Sequence, residues 1–202
     1  NSYGYEGQSK TIEVPVLTDP NIYGKGTCGD NATWVLDNDG NLVVSGTGTM
    51  YDSVFANNQK VKKVTIEEGI TSVSRRAFDE CYNLEEVSLP DSLTEIGFYA
   101  FSATKIQSLH IPENVSNITP GFVMGAIMLK SITVDSENEY YSTDGVFLCN
   151  KEKTEIVQYP MGLELEYVTI PNNITTVGEL AFHFAFHIKN IDSSTNLKYI
   201  GD

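Results

Sequence analysis

The chain has 202 residues, of which 41% are apolar and 20% charged, a composition that fits one folded domain or one short repeat array and not a disordered segment. Thirteen basic against 27 acidic residues leave a formal charge of −14, which repels phosphate backbones and anionic lipid surfaces and argues against nucleic acid as a partner. No run of eighteen apolar residues occurs, so helical insertion into a membrane is not expected.

Residues 1–25 begin at Asn1 rather than Met, which fits a removed leader or a trimmed end. They are polar with scattered Tyr and Pro and suit a linker or an added edge strand. Residues 26–60 come next, where "TWVL" and "NLVVSG" alternate around "DNDG" and predict a β-hairpin. Trp34 and Tyr51 are placed to close an exposed core beside it. "DNDGN" lacks the twelve-residue spacing and terminal Glu of a calcium loop. "SGTGT" lacks the Lys-Ser/Thr of a phosphate loop. Both read as turns.

From residue 61 onward the sequence repeats. A register opens at Val64, Val87, Leu109, Val168 and Ile191, with intervals of 23 or 22 residues inside each run and a further start at Ile132. Two residues on stand Ile66, Leu89, Ile111, Ile170 and Ser193. Six on stand Ile70, Leu93, Val115, Ile174 and Leu197, and nine on stand Val73, Ile96, Ile118, Val177 and Ile200. Nineteen of these twenty positions are apolar, where the chain's 41% composition would give about eight. Fourteen on, Phe78, Phe101, Val123 and Phe182 supply larger side chains, and seventeen on come Cys81, Thr104, Ala126 and Ala185.

A repeat of this length with an apolar-x-apolar core is that of a leucine-rich-repeat solenoid. The opening residue and its second neighbour form a short strand with both side chains inward. "RRAFDECYN" and "GFYAFSAT" predict a short helical turn on the opposite side. One unit buries too little apolar surface to fold alone, so stacking is obligatory. The expected fold is therefore an α+β repeat solenoid: a right-handed stack over 61–202, short strands on one face, short helical turns on the other, and an N-terminal β-hairpin cap.

The third unit departs from this pattern. "TPGFVMGAIML" replaces Ala-Phe with Gly121 to Val123 and brings Pro120 into the helical turn, which disfavours a regular helix there. A second departure spans about 135–167, where "GVFLC" and "TEIVQYP" flank "NKEK" and predict a hairpin projecting from the stack.

"LPDSLTEIGFYAF", "IPENVSNITPGFV" and "IPNNITTVGELAF" resemble the BspA-type leucine-rich repeats of bacterial surface proteins, in the order Ile-Pro, polar turn, Ile-Gly, Ala-Phe. The segment "DSENEYYSTDGVFLCNKEKTEIVQYP" is similar to that family's usual interruption, and the block before residue 61 to its capping element. The resemblance covers 61–202. It implies a non-catalytic module, extracellular or on the cell surface, that binds a host or microbial protein. A carbohydrate-binding or accessory module of a larger secreted protein is the alternative.

Candidate chemistry is sparse. His183 and His187 lie four apart, yet the Glu of a zinc motif is absent and their neighbours are apolar, so solvent-edge histidines are expected and no metal. Cys28, Cys81 and Cys149 form no CxxC pair, and Cys81 falls on an inward repeat position. No spacing assembles a nucleophile and base or a carboxylate pair, so no enzyme activity and no cofactor are expected. Asn31, Asn114, Asn117 and Asn173 open Asn-x-Ser/Thr triplets, which read as turn residues. The surface that repetition builds is the outward residue of each strand: Thr65, Ser88, His110, Thr133, Thr169 and Asp192. Six strands at roughly 4.8 Å spacing span about 24 Å, enough for an extended peptide of about seven residues. The register stops at "YIGD", before its next aromatic, which suggests a longer array.

Overall fold

The computed structural model describes residues 21–193 and 195–201, so most of the 1–25 segment lies outside the described residues. The chain opens with β1 (Ile22–Thr27), β2 (Asn31–Asp37) and β3 (Asn41–Thr49), joined antiparallel. Asp37 tightens the β2–β3 turn by accepting the N–H groups of Asp39 and Asn41. The nine-residue strand β3 is long enough to start two ladders. Its first half pairs in parallel with β4 (Lys63–Ile66) and its end with β5 (Ile70–Val73).

Each following coil repeats this pair of strands. They are β6 (Glu86–Ser88) with β7 (Glu95–Ile96), β8 (Ser108–Ile111) with β9 (Asn117–Ile118), and then β10 (Ser131–Val134). After the insertion come β14 (Tyr167–Thr169) with β15 (Thr176–Val177), and β16 (Asn190–Asp192) with β17 (Tyr199–Ile200). All pairings between successive coils are parallel, as a solenoid requires. The repeat register points into the core: Val64, Ile70, Val73, Phe78, Cys81, Leu93, Ile96, Phe101 and Val115 are fully buried.

Aromatic rings form the spine of the first core. Trp34 meets Phe55 edge-on at 5.7 Å, Phe55 stacks on Phe78 at 5.3 Å, and Phe78 stacks on Phe101 at 5.6 Å. Trp34 thus closes the end of the stack. Its indole lies against β1, where a Cβ on Gly26 would come within 3.0 Å of the ring nitrogen, so glycine is what lets the strand approach. Tyr51 does not share this role: its ring is exposed and its hydroxyl donates to Asp30.

The expected α+β class is corrected. Among the described residues there is no helix, and the fold is an all-strand solenoid whose third side is a ladder of tight turns. Segment 76–81 shows why. The N–H groups of Ala77, Asp79 and Cys81 bond three residues back within the coil, to Ser74, Arg76 and Phe78. Those of Arg76, Phe78 and Glu80 bond across to Phe98, Ala100 and Ser102 of the next coil. A helix would keep all six donors in its own segment. Here half are spent on the neighbour, and the backbone turns outward by entering the left-handed region at two sites per coil. These are Arg76 and Glu80, Tyr99 and Ala103, Gly121 and Gly125, and Leu180 and Phe184, with φ between 53° and 76°. Each non-glycine site costs about 1–2 kcal/mol, offset by the bonds to the next coil.

The insertion is not a projection. Strands β11 (Tyr141–Thr143), β12 (Leu148–Asn150) and β13 (Glu155–Gln158) form an antiparallel sheet, and β13 pairs in parallel with β15. The hairpin is thereby spliced into the second ladder. Its strands sit between two cores: Leu148 and Met161 belong to the first, while Phe147, Cys149, Ile156 and Tyr159 belong to the second. Alternation of side chains along β12 makes one strand a wall for both.

Asn138 anchors this arrangement. It occupies the sixth position after Ile132, where other coils carry Ile70, Leu93, Val115 and Ile174, and it is fully buried. Its amide donates to the carbonyls of Pro112 (2.8 Å) and Val115 (3.0 Å). Its carbonyl oxygen accepts from the N–H groups of Tyr140 (2.8 Å) and Tyr141 (2.7 Å). Four bonds satisfy the side chain completely, so the polar group is tolerated in the core.

Candidate interaction face

The outward residues predicted from the repeat lie on the first ladder, between inward side chains. In β4 the burial alternates, Val64 and Ile66 inward and Thr65 outward; β8 does the same around His110. Ser88, His110, Thr133, Thr169 and Asp192 are exposed and Thr65 half-buried.

The structure joins these six residues as three pairs, not as one unbroken row. Thr65 is in register with Ser88, His110 with Thr133, and Thr169 with Asp192. His110 Nδ1 lies 3.0 Å from the Thr133 hydroxyl. The strand ladder lapses between β6 and β8, although the adjoining turn is still tied, Lys105 N–H to Leu84 C=O at 2.8 Å. It lapses again at the insertion, where Gly162 takes the Leu129 carbonyl at 2.7 Å. Exposed ion pairs flank the face, Lys63 with Glu86 at 2.7 Å and Lys189 with Glu166 at 2.6 Å. Such pairs add little stability and leave the face open to solvent.

The face extends further toward the N-terminus than the repeat predicts. Lys25, Val35 and Val43 continue the row of Thr65 and Ser88 across β1, β2 and β3 in strict register. Val35 is 39% exposed, whereas Trp34 and Val44 on the opposite side pack inward. The signal was present as alternation in "TWVL" and "NLVV": if Trp34 and Val44 face in, Val35 and Val43 face out.

The remaining candidate groups do not converge. His183 and His187 are both exposed, and no cluster of three metal-ligating side chains occurs among the described residues. All three cysteines are free and buried. Cys81 behaves as an inward small side chain, its thiol directed at the Phe55 carbonyl at 3.1 Å. Burial pushes the thiols of Cys28 and Cys81 up to about 11 and that of Cys149 to about 12, so they stay protonated and poorly nucleophilic at neutral pH. No helix of the described residues is long and apolar enough to cross a membrane.

The repeat register and the parallel ladders between coils together define a leucine-rich-repeat solenoid. The sequence profile of the BspA type leucine-rich repeat region matches six copies, over residues 48–163 and 158–202. The chain belongs to that family. A leucine-rich repeat protein from Eubacterium ventriosum is similar at 25% identity and a TM-score of 0.61, over 89% of this chain and 62% of that one. A leucine-rich cell surface protein from Faecalibacterium prausnitzii shares the fold at 20% identity and a TM-score of 0.62, over 92% and 74% of the two chains. The pneumococcal vaccine antigen PcpA does so at 16% identity and 0.58, over 90% and 67%. The chain therefore spans less than two thirds of the Eubacterium protein. No curated protein matches it.

Proposed function

We propose that this chain is a non-catalytic interaction module, secreted or held at a bacterial cell surface, that binds a host or microbial protein through its first strand ladder. The observation that carries the reading is the row Lys25, Val35, Val43, Thr65 and Ser88, five strands in register on one exposed sheet face, continued by the His110–Thr133 and Thr169–Asp192 pairs. Short hydroxyl side chains with two apolar centres present a smooth surface that a partner covers with little loss of side-chain entropy. Solenoid ladders commonly serve as binding faces. The description of the Faecalibacterium protein as a cell surface protein supports the location.

The test is capture of host and bacterial surface proteins on the immobilised chain, followed by the double variant Val43→Arg/Ser88→Arg. Both positions point outward, so the fold should persist. Captured partners should be lost from the variant; undiminished capture would assign binding to another face.

A further inference from the structure

We propose that the groove where the insertion meets the preceding coils is a second binding site, specific for an uncharged oligosaccharide. It lies off the strand ladder, on the corner between the first and second ladders. Three successive turns build it: Ser92 and Thr94 from one coil, Glu113, Asn114 and Ser116 from the next, and Glu137, Glu139 and Tyr140 from the turn that leads into β11. The groove encloses about 680 Å³. A smaller cleft of about 280 Å³ adjoins it, sharing Ser116 and Tyr140 and continuing past Asn150 and Glu155. Volumes of this size suit small ligands or a few sugar rings.

Tyr140 stands on the wall common to both clefts with 51% of its surface exposed. Its backbone is fixed at both ends. The N–H donates to the buried Asn138 side chain at 2.8 Å, and the carbonyl accepts from Lys151 N–H at 2.8 Å. An aromatic ring held out on a rigid backbone offers a flat apolar platform at low entropic cost, which suits the C–H face of a pyranose.

The hydrogen-bonding inventory gives the rest. The Ser92 hydroxyl donates to Ile70 C=O at 2.8 Å, that of Thr94 to Thr71 C=O at 3.0 Å, and the Asn114 amide to Asp91 C=O at 3.0 Å. These three donors are engaged by the previous coil, so acceptors dominate the lining that remains, chiefly the carboxylates of Glu113, Glu137 and Glu139. No Lys or Arg lines either cleft. The best-matched ligand is rich in O–H donors, carries an apolar face and has no negative charge, which describes a neutral oligosaccharide. A basic peptide would satisfy the carboxylates, but it would find similar charge over much of a surface with net −14 and has less use for acceptors held in fixed positions beside a ring.

Isothermal titration with cellohexaose, xylohexaose, mannohexaose, maltohexaose and chitohexaose tests the proposal, with hexalysine as the charged control. At least one neutral sugar should bind saturably, and Tyr140→Ala should weaken it by at least about tenfold. Glu137→Lys should weaken the same sugar and guards against a folding defect in the tyrosine variant. Ser88→Arg, on the strand ladder, should leave sugar binding unchanged, which separates this site from the protein-binding face. The proposal is overturned if none of the sugars binds at millimolar concentration, or if binding is indifferent to both groove variants. It is equally overturned if hexalysine alone occupies the groove, with an affinity that collapses in salt.

Discussion

Two coils of this molecule carry matching apolar residues at their first and tenth register positions, and these meet different fates. In the coil opening at Val64, Val73 is fully buried; in the coil opening at Ile191, its counterpart Ile200 is 66% exposed. Ile191 itself is 46% exposed, where Val64 is fully covered. Nothing in the local sequence separates the pairs. The first coil has a described neighbour on each side, β3 and β6 flanking β4, whereas β16 and β17 pair only with β14 and β15. Burial in a solenoid is a property of adjacency, and a residue's contribution depends on whether another coil lies over it.

Substitution at matched positions is the sharpest way to break this comparison. Phe101→Ala should cost about 3–5 kcal/mol, because the ring is fully buried and stacked on Phe78. Ile200→Ala should cost under about 1 kcal/mol in the same urea titration. Equal losses would mean that the terminal coil is packed as tightly as the central one.

The next largest effect should come from the joint between the two cores. Asn138→Ala would strand the carbonyls of Pro112 and Val115 and the N–H groups of Tyr140 and Tyr141. We expect a loss of about 2–4 kcal/mol, partly recovered where water enters. A substitution that proves neutral in denaturant titration would show that the insertion is held by other contacts.

Gly121→Ala should be milder, about 1–2 kcal/mol. The residue has φ +76°, and an added Cβ would lie 3.0 Å from side-chain carbons of Tyr99 and Leu180, which can give way. Stabilisation on this change would contradict the left-handed turn.

The last effect, a loss of stability, is absent at neutral pH and confined to alkaline conditions. Folded Cys28 and Cys81 titrate near 11 and Cys149 near 12, above the ordinary thiol value, because burial disfavours the thiolate. The folded state therefore holds protons that the unfolded chain releases. The contribution is fully present below about pH 8.5. It falls as pH rises through the window up to about 11–12. Replacing the three cysteines by Ala should flatten the melting temperature over that window, and an unchanged slope would assign it to other groups.

The repeat register and the in-out alternation along the strands were legible because burial imposes a period on apolar residues, and a period survives in a single sequence. The turn ladder was not. Arg76, Tyr99 and Leu180 have no preference for positive φ that a reader could detect, since the bonds that stabilise them belong to another coil. One unit did show the signal: Gly121 and Gly125 stand at the two left-handed positions, which Arg76 and Glu80, Tyr99 and Ala103, and Leu180 and Phe184 occupy in other coils. The register of Asn138 was equally hidden, because a polar residue at an apolar position reads as the end of a repeat until its four partners are known. The groove beside Tyr140 needed three turns from distant parts of the sequence to be brought together, which spacing alone does not reveal.

Hydrogen exchange on the intact chain tests most directly the claim that each coil is held by its neighbours. Amides of 76–80, three of the five bonded across to the coil at 98–102, should be among the slowest. Those of 190–201 should exchange markedly faster, although Tyr199 and Gly201 also donate to the preceding coil, at 3.2 and 2.8 Å. Graded protection that declines from the central coils to the last is the result expected. Uniform protection of both segments in a monomeric sample would contradict the account, since it would mean that a coil with one described neighbour is as stable as a coil with two.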